Sequence, residues 1–133
     1  MSDLVEELKK EHLVITDSLN KVKNLGIASE EGQKTLVAVK SALLAHLHKE
    51  DERLYTVLYK AAVSDVNLKQ SLDMFAKDMG NITKTALDFF EKYSKGGTTL
   101  EFAEDFGQLC AMLSSRISKE ENILYKRYDE LIG

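Results

Sequence analysis

His46-Leu47-His48-Lys49-Glu50-Asp51-Glu52-Arg53-Leu54-Tyr55 returns, altered but in register, as Arg116-Ile117-Ser118-Lys119-Glu120-Glu121-Asn122-Ile123-Leu124-Tyr125. A shorter stretch precedes each copy: Glu11-His12-Leu13-Val14-Ile15-Thr16 before the first, Asp78-Met79-Gly80-Asn81-Ile82-Thr83 before the second. Self-similarity of this kind marks one structural unit used twice, here with 34 residues from His12 to His46 and 37 from Met79 to Arg116. The unit reads as a helical hairpin. Packed about an approximate twofold axis, two such hairpins would set Glu50 against Glu120, His12 against Met79 and His46 against Arg116.

Apolar residues recur at helical spacing on both sides of these stretches. The spacing predicts helices over roughly 3–25, 30–62, 66–93 and 98–131. Ser2 and Ser29 suit the N-cap positions of the first two, and Ser64 or Asp65 that of the third. Gly26 can stop the first helix and Gly96-Gly97 the third, and Thr98 with Glu101 has the spacing of a capping box for the fourth. The absence of proline among the 133 residues fits long unbroken helices. Four helices with short connections imply an all-α fold, an up-down-up-down antiparallel four-helix bundle forming one domain over residues 1–133.

Each helix then carries one inward seam. The seams read Val5, Leu8, His12, Ile15, Leu19, Val22; then Leu36, Val39, Leu43, His46, Glu50, Leu54, Val57; then Leu72, Phe75, Met79, Ile82, Ala86, Phe89. The last reads Phe102, Phe106, Leu109, Leu113, Arg116, Glu120 and then Ile123 or Leu124. His12, His46, Glu50, Arg116 and Glu120 occupy positions that the pattern gives to apolar side chains. Charged groups are rarely buried unless paired or bound to a metal, so five of them at one level of a small bundle point to a site. Tyr55, Tyr59, Tyr125 and Tyr128 fall beyond that level and are expected to plug one end of the bundle.

Composition narrows the function classes. Net charge is -4 and lysines are mixed with acids throughout, with no basic stripe, so nucleic acid is not an expected partner. No apolar run suits a membrane span, and the acidic, amphipathic start lacks the features of a signal peptide. The single cysteine, Cys110, cannot form an internal disulfide, which suits a reducing cytoplasm. Beside Leu109, it reads as a buried, inert thiol. No nucleophile–base pair or phosphate loop gives hydrolase or transferase chemistry a foothold, and the chain is not expected to be an enzyme.

The chain resembles the hemerythrin-like, or HHE cation-binding, family. The resemblance covers nearly the whole sequence and rests on Glu11-His12-Leu13-Val14-Ile15, on His46 with Glu50 and Asp51 ahead of Leu54-Tyr55, and on Glu120-Glu121 ahead of Leu124-Tyr125. It implies a four-helix bundle holding two irons bridged by an oxygen species and two carboxylates, with roles in oxygen binding, gas sensing or iron handling. Carried over, His12 and His46 match the histidines of one iron, and Glu50 and Glu120 the bridging carboxylates. The other iron's ligands are missing: Met79 and Thr83 stand where the third helix should supply a histidine pair, and Arg116 where the fourth should supply a histidine. A guanidinium cannot lose its proton and cannot bind a metal, so two-iron oxygen carriage is not expected.

Two histidines and two glutamates can hold one divalent ion, with iron, zinc and manganese all suited to the donor set. Glu50 lies one turn from His46, so both point the same way. Arg116 would stand where the second cation stood and donate to both Glu50 and Glu120. Two main readings stay open: a one-metal binding or sensing protein, and a metal-free structural or interaction bundle in which Arg116 and the glutamates form a salt-bridge network; a small oxidase or peroxidase using a single iron is a weaker third. His48 with Glu52 offers a rival pair off the seam. A protein partner or a second copy of the chain would have to carry any output.

Overall fold

In a computed structural model, residues 2–94 and 99–132 are described. Among them lie four helical rods: α1 (Asp3–Leu25), α2 (residues 30–62), α3 (Val66–Lys92) and α4 (residues 99–132). Their starts follow from local chemistry. The Ser2 hydroxyl accepts from the Val5 amide at 3.2 Å, Ser29 from Gly32 at 3.0 Å, and Asp65 from Leu68 at 3.1 Å. Each satisfies an amide that the first helical turn leaves without a partner. Gly26 ends α1 at φ 71°, a conformation open to glycine. The expected stop at Gly96-Gly97 and the cap at Thr98 lie outside the described residues.

The four rods make an all-helical bundle. The Ser2 amide donates to Asp129 at 3.0 Å, tying the start of α1 to the end of α4. Tyr59 near the end of α2 donates to Asp73 near the start of α3 at 3.3 Å. The seams of α1 are buried as the spacing predicts. Those of α2 and α4 hold through Leu54 and Leu124, and that of α2 departs at Val57, which is only half-buried. The backbone widens into a π-helical turn at Glu50–Tyr55 and again at Glu120–Leu124. A wider turn takes in an extra residue, so the inward face advances by one position. Leu58 is fully buried where Val57 was expected, and Leu124 is buried while Ile123 is half exposed. In α3, Phe75 and Met79 are only half-buried.

The apolar interior falls into two clusters. One is built around Ile15, Val22, Val39, Phe89, Phe102 and Leu109. The other holds Val5, Leu8, Leu54, Leu58, Leu72, Leu124 and Tyr125. His12, His46, Glu50, Arg116 and Glu120, the five polar residues of the seams, lie in neither cluster and are each no more than 3% exposed. No helix among the described residues is long and apolar enough to cross a membrane.

Candidate metal centre

α1 supplies His12, α2 supplies His46 and Glu50, and α4 supplies Glu120. One ligand atom from each can be chosen so that all four lie within 4.8 Å of one another. His46 Nε2 is 3.3 Å from Glu50 Oε1, and His12 Nε2 is 3.1 Å from Glu120 Oε1. The two imidazole rings sit 4.6 Å apart, centre to centre.

The outer nitrogen of each ring is bonded to a carboxylate. His12 Nδ1 lies 2.7 Å from Glu121, and His46 Nδ1 lies 2.8 Å from Glu11. A carboxylate can only accept, so Nδ1 carries the proton in each ring and the Nε2 of the neutral ring offers its lone pair inward. This carboxylate–histidine arrangement is the one that orients metal-binding imidazoles. Glu11 is itself held by Lys49. Burial alone would raise the Glu11 pKa, but Lys49 and His46 together hold it below the usual range.

The centre is rich in lone pairs and poor in protons. His46 Nε2, Glu50 Oε1, Glu120 Oε2 and Arg116 Nε are buried without a hydrogen-bond partner. Buried polar groups in folded proteins are almost always satisfied. Glu120 Oε2 has the Arg116 Nε at 3.4 Å, but His46 Nε2 and Glu50 Oε1 face each other at 3.3 Å, and a cation there would serve both. Protons can partly fill that need. Burial pushes Glu120 up, and the facing Glu50 carboxylate adds to the push against His12 and Arg116, leaving Glu120 at about 7. Burial also acts on Glu50, but His46, with help from Glu120 and Tyr125, holds it below its ordinary value. For His46, burial lowers the pKa, while Glu50, Glu11 and Glu120 more than reverse the effect. The donor set thus matches a cation, with a proton as its competitor.

Arg116 does not bridge both glutamates as expected. Its Nε lies 3.4 Å from Glu120, but the rest of the guanidinium turns towards α3 and Tyr55. NH2 donates to the Tyr55 hydroxyl at 2.7 Å, and NH1 to the Phe75 carbonyl at 3.2 Å and to Asp78 at 3.4 Å. The Phe75 ring stacks under it with its centre 4.8 Å away. The reach of the side chain explains the difference: from the seam of α4 it spans the half of the centre next to α3 and finds acceptors there.

The tyrosines also differ from expectation. They do sit within or against the apolar cluster at one end, but Tyr55 and Tyr125 aim their hydroxyls back at the polar layer. Tyr125 donates to Glu50 Oε2 at 2.9 Å and lies 3.1 Å from His12 Nε2. Burial, then the neighbouring glutamates, drive the Tyr125 pKa far upward; burial does the same for Tyr55, partly offset by Arg116. Glu11, Glu121, Tyr55 and Tyr125 were not among the candidate site residues. Their signal lay in the repeat, where Glu11 matches Asp78 and Tyr55 matches Tyr125. Glu11 holds His46 as Asp78 holds Arg116. The rival pair, His48 and Glu52, is a surface ion pair at 3.0 Å. Cys110 is half-buried, and burial pushes its thiol pKa up.

A cavity of about 20 Å³, room for one water, adjoins the centre and is lined by His12, His46, Glu120, Arg116, Met79 and Leu43, among others. Neither the curated proteins nor the solved structures searched give a match to this chain. The family model for the hemerythrin HHE cation binding domain matches residues 3–128. With the helices, the two histidines and the two glutamates in place, and a match along nearly its whole length, the chain belongs to the hemerythrin HHE cation-binding family.

Proposed function

We propose that this protein binds one divalent cation, iron, zinc or manganese, in half of a hemerythrin-type centre. His12, His46, Glu50 and Glu120 would hold it, and Arg116 takes the place of a second cation. The observation that carries this reading is the outward bonding of both histidines to Glu11 and Glu121, which leaves two Nε2 atoms facing two buried carboxylates. A bound cation would supply Lewis acidity and, as iron, a redox couple. The protein's own groups set the rest. Glu11 and Glu121 fix the imidazole tautomers, the apolar clusters exclude water, and Phe75, Tyr55 and Asp78 anchor the guanidinium.

On this reading the protein is a cation-binding or sensing module of the cytoplasm, neither a two-iron oxygen carrier nor an enzyme. It forms one domain over residues 1–133, with its helices running up, down, up and down. The ties from Ser2 to Asp129 and from Tyr59 to Asp73 support that order. Any signal would leave through another protein or a second copy.

A second reading is a metal-free bundle. The well-made surroundings of Arg116 and the raised pKa of His46, which can donate to Glu50 when protonated, favour it. Elemental analysis of protein purified without chelator, then reconstituted with each metal, separates the two. About one equivalent is expected, from four protein donors around one ion. The His12→Ala/His46→Ala double variant should lose it and keep its helical content. An empty protein after reconstitution, or equal metal in the double variant, would favour the second reading. Two irons per chain would overturn the role given to Arg116.

A further inference from the structure

Tyr125 sits in the centre as one of its donors would. Metal–ligand bonds of about 2.0–2.2 Å place neighbouring donors about 3 Å apart. The Tyr125 hydroxyl oxygen is 3.1 Å from His12 Nε2 and 2.9 Å from Glu50 Oε2. These spacings match that of His12 Nε2 from Glu120 Oε1, at 3.1 Å. The side chain is fully buried, and its ring lies 5.5 Å from that of His12 at an interplanar angle of 15°, which leaves the hydroxyl little choice of direction.

The repeat gives an independent argument. Tyr55 and Tyr125 are equivalent, and each reaches across into the half of the centre built on the other hairpin. In the half that contains Arg116, the Tyr55 oxygen accepts from the guanidinium at 2.7 Å and so binds the cation present there. The equivalent oxygen in the other half, that of Tyr125, meets His12 and Glu50, the residues read above as holding a metal. A hydroxyl has one proton and cannot donate to both of those acceptors at once.

We propose that Tyr125 is a fifth protein ligand, and that through its phenolate oxygen the site read above as holding a divalent cation also takes iron as the ferric ion. The inference rests on the metal-binding reading given above. On binding, the phenol O–H bond breaks, its proton passes to solvent and one iron–oxygen bond forms; no electron is transferred. Three anionic oxygens, from Glu50, Glu120 and Tyr125, then face a trivalent ion, a hard-donor set that suits iron in that state. Those charges cancel, and Arg116 in the neighbouring half leaves the buried layer with a small positive excess.

The test is the visible spectrum of the iron-loaded, oxidised protein, with the zinc-loaded protein as reference. A phenolate on ferric iron gives a charge-transfer band in the visible and tyrosinate vibrations in the resonance Raman spectrum. Both are expected in the wild type and in Tyr55→Phe, and neither in the zinc form. In Tyr125→Phe the band should vanish while zinc is still bound at the wild-type stoichiometry. Iron-loaded wild type with no such band would overturn the proposal and leave the metal site standing, with Tyr125 a hydrogen-bond donor to Glu50. A band lost in Tyr55→Phe and kept in Tyr125→Phe would overturn it too. Should Tyr125→Phe fail to fold, the Raman comparison of wild type with Tyr55→Phe still decides. Failure to bind zinc or iron at all would instead sink the metal-binding reading, and this proposal with it.

Discussion

Glu11 and Glu121 touch no cation in the proposed centre, yet the direction of both histidines depends on them. Replacing either by glutamine keeps its size but lets the amide nitrogen face the imidazole. The tautomer is then no longer enforced. Loss of such an outer partner typically weakens metal affinity about 10–100-fold. Glu121→Gln and Glu11→Gln are each expected to do so in a zinc competition titration, with helical content unchanged. A residue at the far end gives a different kind of expectation. Asp105 accepts from Tyr93 at 2.6 Å and from Lys92 at 2.9 Å, and these two bonds hold its pKa below the ordinary value. A carboxylate with a depressed folded pKa stabilises the protein above its unfolded pKa, near pH ~4, and loses that contribution as pH falls through the folded value. The difference in melting temperature between wild type and Asp105→Asn should therefore hold steady above pH ~5 and shrink on further acidification. His12, His46, Glu50 and Glu120 were legible in the sequence because a charged residue in an apolar seam is conspicuous. Glu11 and Glu121 stood in the quoted motifs but had no role read into them, because a glutamate beside the seam looks like any solvated helix face.

The connection between α1 and α2 depends on a glycine of another kind. A Cβ at Gly32 would lie 1.6 Å from the Gly26 carbonyl oxygen, well inside contact distance, so the chain must move to admit one. Gly32→Ala should cost about 1–3 kcal/mol, the usual range for overpacking a tight site, and urea unfolding of the variant would measure it. Helix limits were largely readable, because Ser2, Ser29 and Asp65 cap as their side chains dictate. The two π-helical turns were not. Nothing in Glu50-Asp51-Glu52-Arg53-Leu54-Tyr55 breaks a regular pattern by itself. Only Leu58, buried in place of Val57, and Leu124, chosen over Ile123, reveal the added residue. Both wide turns begin at the glutamates of the centre. The widened turn that follows each carboxylate brings Tyr55 and Tyr125 back to the polar layer, where they meet Arg116 and Glu50.

At the scale of the whole molecule, the repeat was the most informative signal. It places two hairpins so that each completes the other's half of the centre. What it could not convey was the fate of the altered half. Arg116 in place of a histidine reads as a cation between two carboxylates, and its real partners, Phe75, Asp78 and Tyr55, depend on how a long side chain packs against α3. Replacing Arg116 by methionine would leave Glu120 facing Glu50 without its guanidinium. Removing one partner of a buried pair commonly costs about 3–5 kcal/mol. A loss of that size is expected in chemical denaturation of the metal-free protein, and one near zero would show that Arg116 is a passenger.

The layer that crosses the interior also sets how the molecule should come apart. A band of charge separates two small oily compartments, and neither can lend the other contact across it. Such a molecule need not melt as one piece. The compartment holding Leu54, Leu58, Leu72 and Leu124 can loosen while the one around Phe89 and Phe102 stays shut. The waist between them then acts as a rivet. With it fastened, amide protons on both sides should exchange together; with it undone, one end should exchange first.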